Sequence, residues 1–243
     1  MNDPDLVRVL AKHAQEFHPV IGFNAATDRI LSLDLSGNNP AFDAGVYNDM
    51  EKFSQFIEER RNGERPAFLM GGYREIREMY RRSVLFDQNL KDNISAKAEP
   101  RCLHLGVDIW GPAGTKVFAP LGGMVHSFSN NDNFGDYGPT IILQHQLDTV
   151  NFYTLYGHLS LENIKGLRKG QFITRGENFA RFGTTEENGS WPAHLHFQII
   201  HQIDYYEGDY PGVCRISEAA HYIKNCPDPD LLLGLKAKMQ HTL

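Results

Sequence analysis

The feature that most constrains this chain is a change of texture at Pro100. Beyond it come the short runs TKVFAP, GMVHSFS, PTIILQH, VNFYTLYGHL and HLHFQII, in which Val, Ile, Phe and Tyr alternate with polar residues. Clusters of Gly, Pro and Asn separate them. Successive side chains on a strand point to opposite faces, so such runs suit half-buried strands. Several of them in series, with turn residues between, predict an antiparallel β domain.

The first hundred residues read differently. Asp3-Pro4 has the form of an N-cap followed by a first-turn proline, and Leu6, Leu10, Ala14 and Phe17 follow at helical spacing. A second helix is predicted over about 44–61, burying Val46, Met50, Phe53 and Ile57 and stopping at Asn62-Gly63. A third is predicted around 73–86, with Ile76, Met79, Tyr80 and Val84 on one side and arginines on the other. Residues 31–40, LSLDLSGNNP, suit a short strand and turn. Near the C-terminus SEAAHYIKNC and DLLLGLKAKM look helical again, on either side of Pro227–Pro229. The expectation is an α+β protein in three parts: a helix-rich extension over 1–99 packed on the core, a β domain over 100–205, and a helical tail over 206–243.

A chain of 243 residues with 41% apolar and 11% aromatic residues can bury a sizeable core. Its net charge of −6 and lack of a long basic run leave no nucleic-acid footprint. No stretch approaches the roughly 18 apolar residues of a membrane span. The opening MNDPDLVRVLAKHAQEF lacks the pattern of a secretory signal, so the expectation is either a cytoplasmic location or a chain from which a leader has been removed. Cys102, Cys214 and Cys226 form no close pair and read as small buried apolar side chains in a reducing compartment. Sequence leaves the oligomeric state open.

Histidine is the unusual residue: there are 11, mostly after residue 100. Two local patterns involve them, His104-x-x-x-Asp108 and His194-x-His196. Neither is specific alone, since chance supplies roughly half an HxH pair in a chain of this composition. Their context adds more. On the strand HLHFQII, His194 and His196 share a face, with Phe197 and Ile199 on the other. His104 and Asp108 would lie about 13 Å apart on a straight strand. Gly106 between them permits a bend that brings them together. Two histidines and a carboxylate, leaving one position for water, suit a catalytic zinc rather than a structural one closed by four ligands.

Taken in order, HLGVDIWGPAGTKVFAPLGGMV, TLYGHLS and NGSWPAHLHFQI resemble the lysostaphin-type metalloendopeptidase family over roughly residues 100–202. That resemblance implies a twisted antiparallel β-sheet groove and one zinc ion per chain, held by His104, Asp108 and His196. It implies catalytic roles for His194 and for His158 of YGHLS, leaving open which is the general base. It further implies a peptide substrate, commonly one derived from bacterial peptidoglycan. A second reading, a regulatory module that keeps the metal without proteolysis, is motivated by the missing export pattern and by 100 additional N-terminal residues that would cover the groove. VFAPLGGMVHSF also resembles strand pairs of lipoyl-type carriers, but its tip Leu121-Gly122-Gly123 offers no lysine to modify.

Other positions have plainer explanations. His145 is a candidate for orienting a ligand or contacting substrate, and a satisfied strand histidine explains it as well. Trp191 suits a groove wall for substrate or ordinary packing. Arg74, Arg77, Arg81 and Arg82 are expected on a solvated helix face paired with Glu75 and Glu78. Asn38-Asn39-Pro40 could approach the metal as an occluding ligand, although a turn accounts for it.

Overall fold

A computed structural model describes residues 5–24, 26–62, 67–86 and 99–239. The Asp3-Pro4 cap lies outside them. Helix α1 (Leu6–Lys12) is instead capped by Asp5, whose carboxylate accepts from the Val7 amide. It ends early, leaving Ala14 and Phe17 beyond it. Strand β1 (Arg29–Ser32) confirms the short strand expected there. The predicted 44–61 helix is broken into α2 (Ala44–Tyr47) and α3 (Met50–Arg61). The break has a local cause: Asp43 and Asp49 each cap a separate start, accepting amide hydrogens two and three residues on.

Strand β2 (Ala67–Gly71) was not legible in sequence. It pairs in parallel with β1, an exception to an otherwise antiparallel sheet. After it the predicted 73–86 helix does not form. The chain turns at Tyr73-Arg74, where Arg74 has φ of 60°, and bridges Ile76 to Leu103. Two short 3-10 turns, Glu78–Arg82 and Val84–Phe86, follow. Met79 and Tyr80 are buried as expected, but Ile76 faces solvent and Arg77 is turned inward. An ionic partner in the interior overrides the apolar periodicity here.

The β domain begins with β3 (Leu103–His104), a bend at Leu105-Gly106, and β4 (Val107–Trp110). It continues through β5 (Lys116–Phe118), β6 (Gly123–Asn131), β7 (Gly138–Leu147), β8 (Val150–Gly157), β9 (Phe172–Ile173), β10 (Asn178–Arg181), β11 (His194–Ile200) and β12 (Val213–Cys214). Eight strands form one sheet in the order β1-β2-β4-β11-β8-β7-β6-β9. Helices α4 (Ala219–Asn225) and α5 (Asp230–Leu233) follow, α5 stopping at left-handed Gly234 before a 3-10 turn at Lys236–Lys238. The observed class is therefore α+β with a large, mostly antiparallel sheet.

The strand order positions the site. β4, β11 and β8 are neighbours, with His196 opposite Asp108 on one side and opposite Gly157 on the other. One face of the sheet, with Val107, Ile109, Leu195, Phe197 and Ile199, joins the main apolar cluster under α1 and α5. A second cluster joins Phe53, Phe56 and Ile57 of α3 with Tyr80, Trp110 and Trp191. Strand β2 is hydrogen-bonded to β4.

Candidate metal and catalytic site

Three buried side chains converge across β3, β4 and β11. His104 Nε2 lies 3.0 Å from His196 Nδ1 and 3.4 Å from Asp108 Oδ1, and His196 Nδ1 is 3.0 Å from the same carboxylate oxygen. The surrounding hydrogen bonds decide which ring nitrogens carry protons. His104 Nδ1 donates to the Gly72 carbonyl at 3.0 Å, leaving the Nε2 lone pair facing Asp108. The Gln198 amide nitrogen donates to the Pro211 carbonyl, which turns Oε1 toward His196. His196 Nε2 donates to that oxygen at 3.0 Å, so Nδ1 is the free nitrogen.

Two imidazole lone pairs and a carboxylate oxygen therefore face one point. In tetrahedral zinc, bonds of about 2.0 Å place neighbouring ligand atoms about 3.3 Å apart. The separations here bracket that value. Without a cation between them, three acceptors this close would repel one another. The donor set fits zinc. Gly106 makes the approach possible: a Cβ there would stand 2.5 Å from His196 Cε1 and 2.9 Å from the Phe197 carbonyl oxygen.

His194 and His158 complete the cluster, with ring centroids 4.0 Å apart. Each donates from Nδ1 to a carbonyl, His194 to Pro192 at 2.7 Å and His158 to Asn188 at 2.8 Å. Each consequently offers Nε2 as a base when neutral. His194 Nε2 is 4.0 Å from Asp108 Oδ1. His158 follows Gly157 at the end of β8 and has φ of 62°, a strained conformation costing about 1–3 kcal/mol. A Cβ on Gly157 would lie 2.6 Å from the Tyr137 ring, and one on Gly212 would strike the Tyr137 hydroxyl. Tyr137 fills the slot between them, with its hydroxyl 3.5 Å from His196 Nε2.

Burial sets the electrostatics. It pushes His104 and His194 down to about 4 and His158 well below its usual range, the neighbouring His194 ring adding to the last. These rings stay neutral near pH 7 and keep their lone pairs. Burial opposes ionisation of Asp108, but the Arg77 guanidinium beside it holds the carboxyl well below the usual carboxylate range.

Arg77 was misplaced by sequence. It is not on a solvated face but wholly buried, its Nη1 2.5 Å from Asp108 Oδ2 and its Nε 2.5 Å from Glu75 Oε2. Arg82 is also drawn in, lying over the Trp191 ring at 4.6 Å and donating to the Tyr47 and Ser190 carbonyls. The one sequence signal for Arg77 was its company on a short Tyr- and Glu-rich segment, and helical periodicity pointed the other way.

Trp191 lines a cavity of about 100 Å³ over the site, together with Phe53, Tyr80, Phe86 and Tyr137. His104, Asp108, His158, His194 and His196 border it and are only 1–6% exposed. Asp136, Asp209 and Arg101 border it as well. His145 is not among its lining residues; on β7 it is bonded to the Gly122 carbonyl and Thr154 Oγ1. Asn39 caps its own turn by accepting from the Ala41 amide, and it does not border the cavity either.

Residues 103–207 match the model of Peptidase family M23. Similar solved structures include a zinc-containing peptidase from Vibrio cholerae, 27% identical, with a TM-score of 0.32. The match covers 40% of this chain and 27% of that one, so the aligned part spans about a quarter of the Vibrio protein. The catalytic domain of the antimicrobial peptidase lysostaphin from Staphylococcus simulans is 20% identical, over 58% of this chain and 97% of that domain, with a TM-score of 0.34. Helicobacter pylori Csd3 is 22% identical over 51% of this chain and 32% of its own, with a TM-score of 0.33. No curated protein matches the chain in sequence.

Proposed function

We propose that the protein, whose residues 103–207 match the model of Peptidase family M23, is a zinc-dependent peptidase acting on short peptides, including those derived from peptidoglycan. We read residues 1–99 and 206–243 as additions around that catalytic unit. The observation that carries the proposal is the convergence of three lone-pair donors at His104, Asp108 and His196, beside two histidines that keep a free Nε2. Zinc held there would polarise a substrate carbonyl and make water acidic enough to ionise near neutral pH.

The remaining chemistry falls to this chain's own residues. His194 Nε2 accepts the proton of the attacking water, the Pro192 carbonyl fixing its tautomer. His194 then returns that proton to the leaving amine, and His158, whose tautomer the Asn188 carbonyl fixes, offers a second Nε2 acceptor beside it for the water's proton. Asp136, Asp209 and Arg101, on the wall of the same cavity, offer opposite charges to the two termini of a short peptide. Trp191 supplies an apolar wall. Two intact histidines aimed at the metal ligands favour hydrolysis over a module that only binds metal. Three free thiols accord with a reducing, cytoplasmic compartment.

The test is cleavage of a panel of di- to hexapeptides by the zinc-loaded full chain. Hydrolysis that is lost in His194→Ala while zinc stays bound supports the proposal. Equal activity in that variant, or no cleavage by the zinc-loaded wild type, defeats it.

A further inference from the structure

The metal centre draws on residues well outside the stretch shared with the peptidase family. Three contacts come from the segment around residues 71–80. The Gly72 carbonyl fixes the His104 ring. Strand β2 pairs Gly71 with Asp108 through the backbone. Arg77 grips Asp108 Oδ2, leaving Oδ1 as the oxygen that faces His104 and His196. The segment is also laced to β3: Arg74 and Arg77 donate backbone amides to His104 and Cys102, and the His104 amide donates to Glu75.

We propose that residues 71–80 are a built-in part of the metal centre, with Arg77 the positioning residue that restricts Asp108 to a single coordinating oxygen. A carboxylate beside a cation can bind through one oxygen or both, and a charged N–H donor held on the second oxygen settles the choice. A lone guanidinium next to a dication would weaken metal binding by repulsion. Glu75 removes that objection: it meets Arg77 Nε at 2.5 Å and is itself held by the Leu35 amide at 3.1 Å. The Glu75–Arg77 pair is neutral as a unit, and its directional hold on Asp108 remains. Tyr80 completes the arrangement, its hydroxyl 3.2 Å from Arg77 Nη1 and its ring stacked at 6.3 Å on His104. This segment is therefore a supporting wall of the site rather than a detachable plug.

The inference rests on the zinc reading above, and the experiment separates the two. Full-length wild type, Arg77→Lys, Arg77→Met and Glu75→Gln are compared for zinc affinity by chelator competition and for the visible spectrum of the cobalt-loaded protein. Arg77→Lys keeps the buried charge but replaces the planar guanidinium, whose Nη1 and Nε reach Asp108 and Glu75 separately, by a single compact ammonium. It is expected to fold and to bind zinc about tenfold more weakly, as for other lost contacts to a metal ligand. Its cobalt bands should lose intensity as the second carboxylate oxygen joins the metal. Glu75→Gln keeps the hold on Asp108 and removes only the charge that offsets Arg77, so it should weaken zinc binding with the cobalt spectrum unchanged, and its zinc affinity decides the matter should the Arg77 variants fail to fold. Folded variants with unchanged zinc affinity and superimposable cobalt spectra overturn this inference alone. A wild type that binds no zinc overturns the underlying zinc reading instead.

Discussion

His196 packs so closely on Gly106 that a methyl group at position 106 would stand 2.5 Å from its Cε1 atom. The glycine therefore does two things: it sits in the bend between His104 and Asp108, and it leaves room for the third ligand. Gly106→Ala is expected to push the His196 ring out of line. Overpacking of this kind costs about 1–3 kcal/mol. Urea unfolding should report that loss, and zinc affinity should fall with it. Unchanged stability and zinc binding would show that the strands move aside without consequence.

His145 gives a pH signature separate from the metal. It is buried against Gly122 and Thr154, and burial pushes it down to about 4 from 6.5. The fold thus favours the neutral ring. Its contribution is complete above pH 6.5 and is lost as pH falls from there through 4, up to about 3 kcal/mol. Urea unfolding at stepped pH should show wild-type stability declining across this window more steeply than that of His145→Gln. Parallel curves would remove His145 as a source of the acid sensitivity.

Much of the site was legible in sequence, and for a physical reason. Alternation on a strand puts His194 and His196 on one face wherever the strand lies in the sheet, and Gly106 signals a bend locally. What escaped was long-range. The strand β2 is a five-residue apolar run, Ala67–Gly71, whose partners lie on distant segments. Arg77 sits among residues spaced like a helix, and only Asp108, 31 positions away, explains why it turns inward. The helix predicted over 44–61 failed at Asn48-Asp49 because Asp49 restarts the chain as a fresh cap. His145 was noticed for its residue type, whereas its partners, Gly122 and Thr154, explain its burial.

Substrate size offers another check. The cavity over the site, about 100 Å³, is walled by Phe53, Tyr80, Phe86 and Trp191, which confines the chain on either side of the bond to be cut. Short peptides should be cleaved faster than intact cross-linked wall. Phe86→Ala, which trims one wall of the cavity, should raise kcat/KM for longer peptides relative to dipeptides. An unchanged length preference would mean that Phe86 does not limit access.

Trp191 combines structure and recognition. Its indole nitrogen donates to the Asp136 carbonyl at 3.2 Å, and its ring meets Phe53, Tyr80 and His158 edge-on. Trp191→Ala is expected to cost about 3–5 kcal/mol of stability. Trp191→Phe should retain most of that stability but raise KM, because the wall is kept without its anchor. Calorimetry and steady-state kinetics together separate the two effects, and an unchanged KM in the phenylalanine variant would make the residue purely a packing element.

The most direct test of the metal centre is the zinc content of the full-length chain and of four single variants after dialysis against trace zinc. The wild type, His194→Ala and His158→Ala should each retain about one zinc per chain, as expected for a site with three protein ligands. His104→Ala and His196→Ala should each lose it. Zinc retained in both ligand variants, or absent from the wild type, would contradict the assignment.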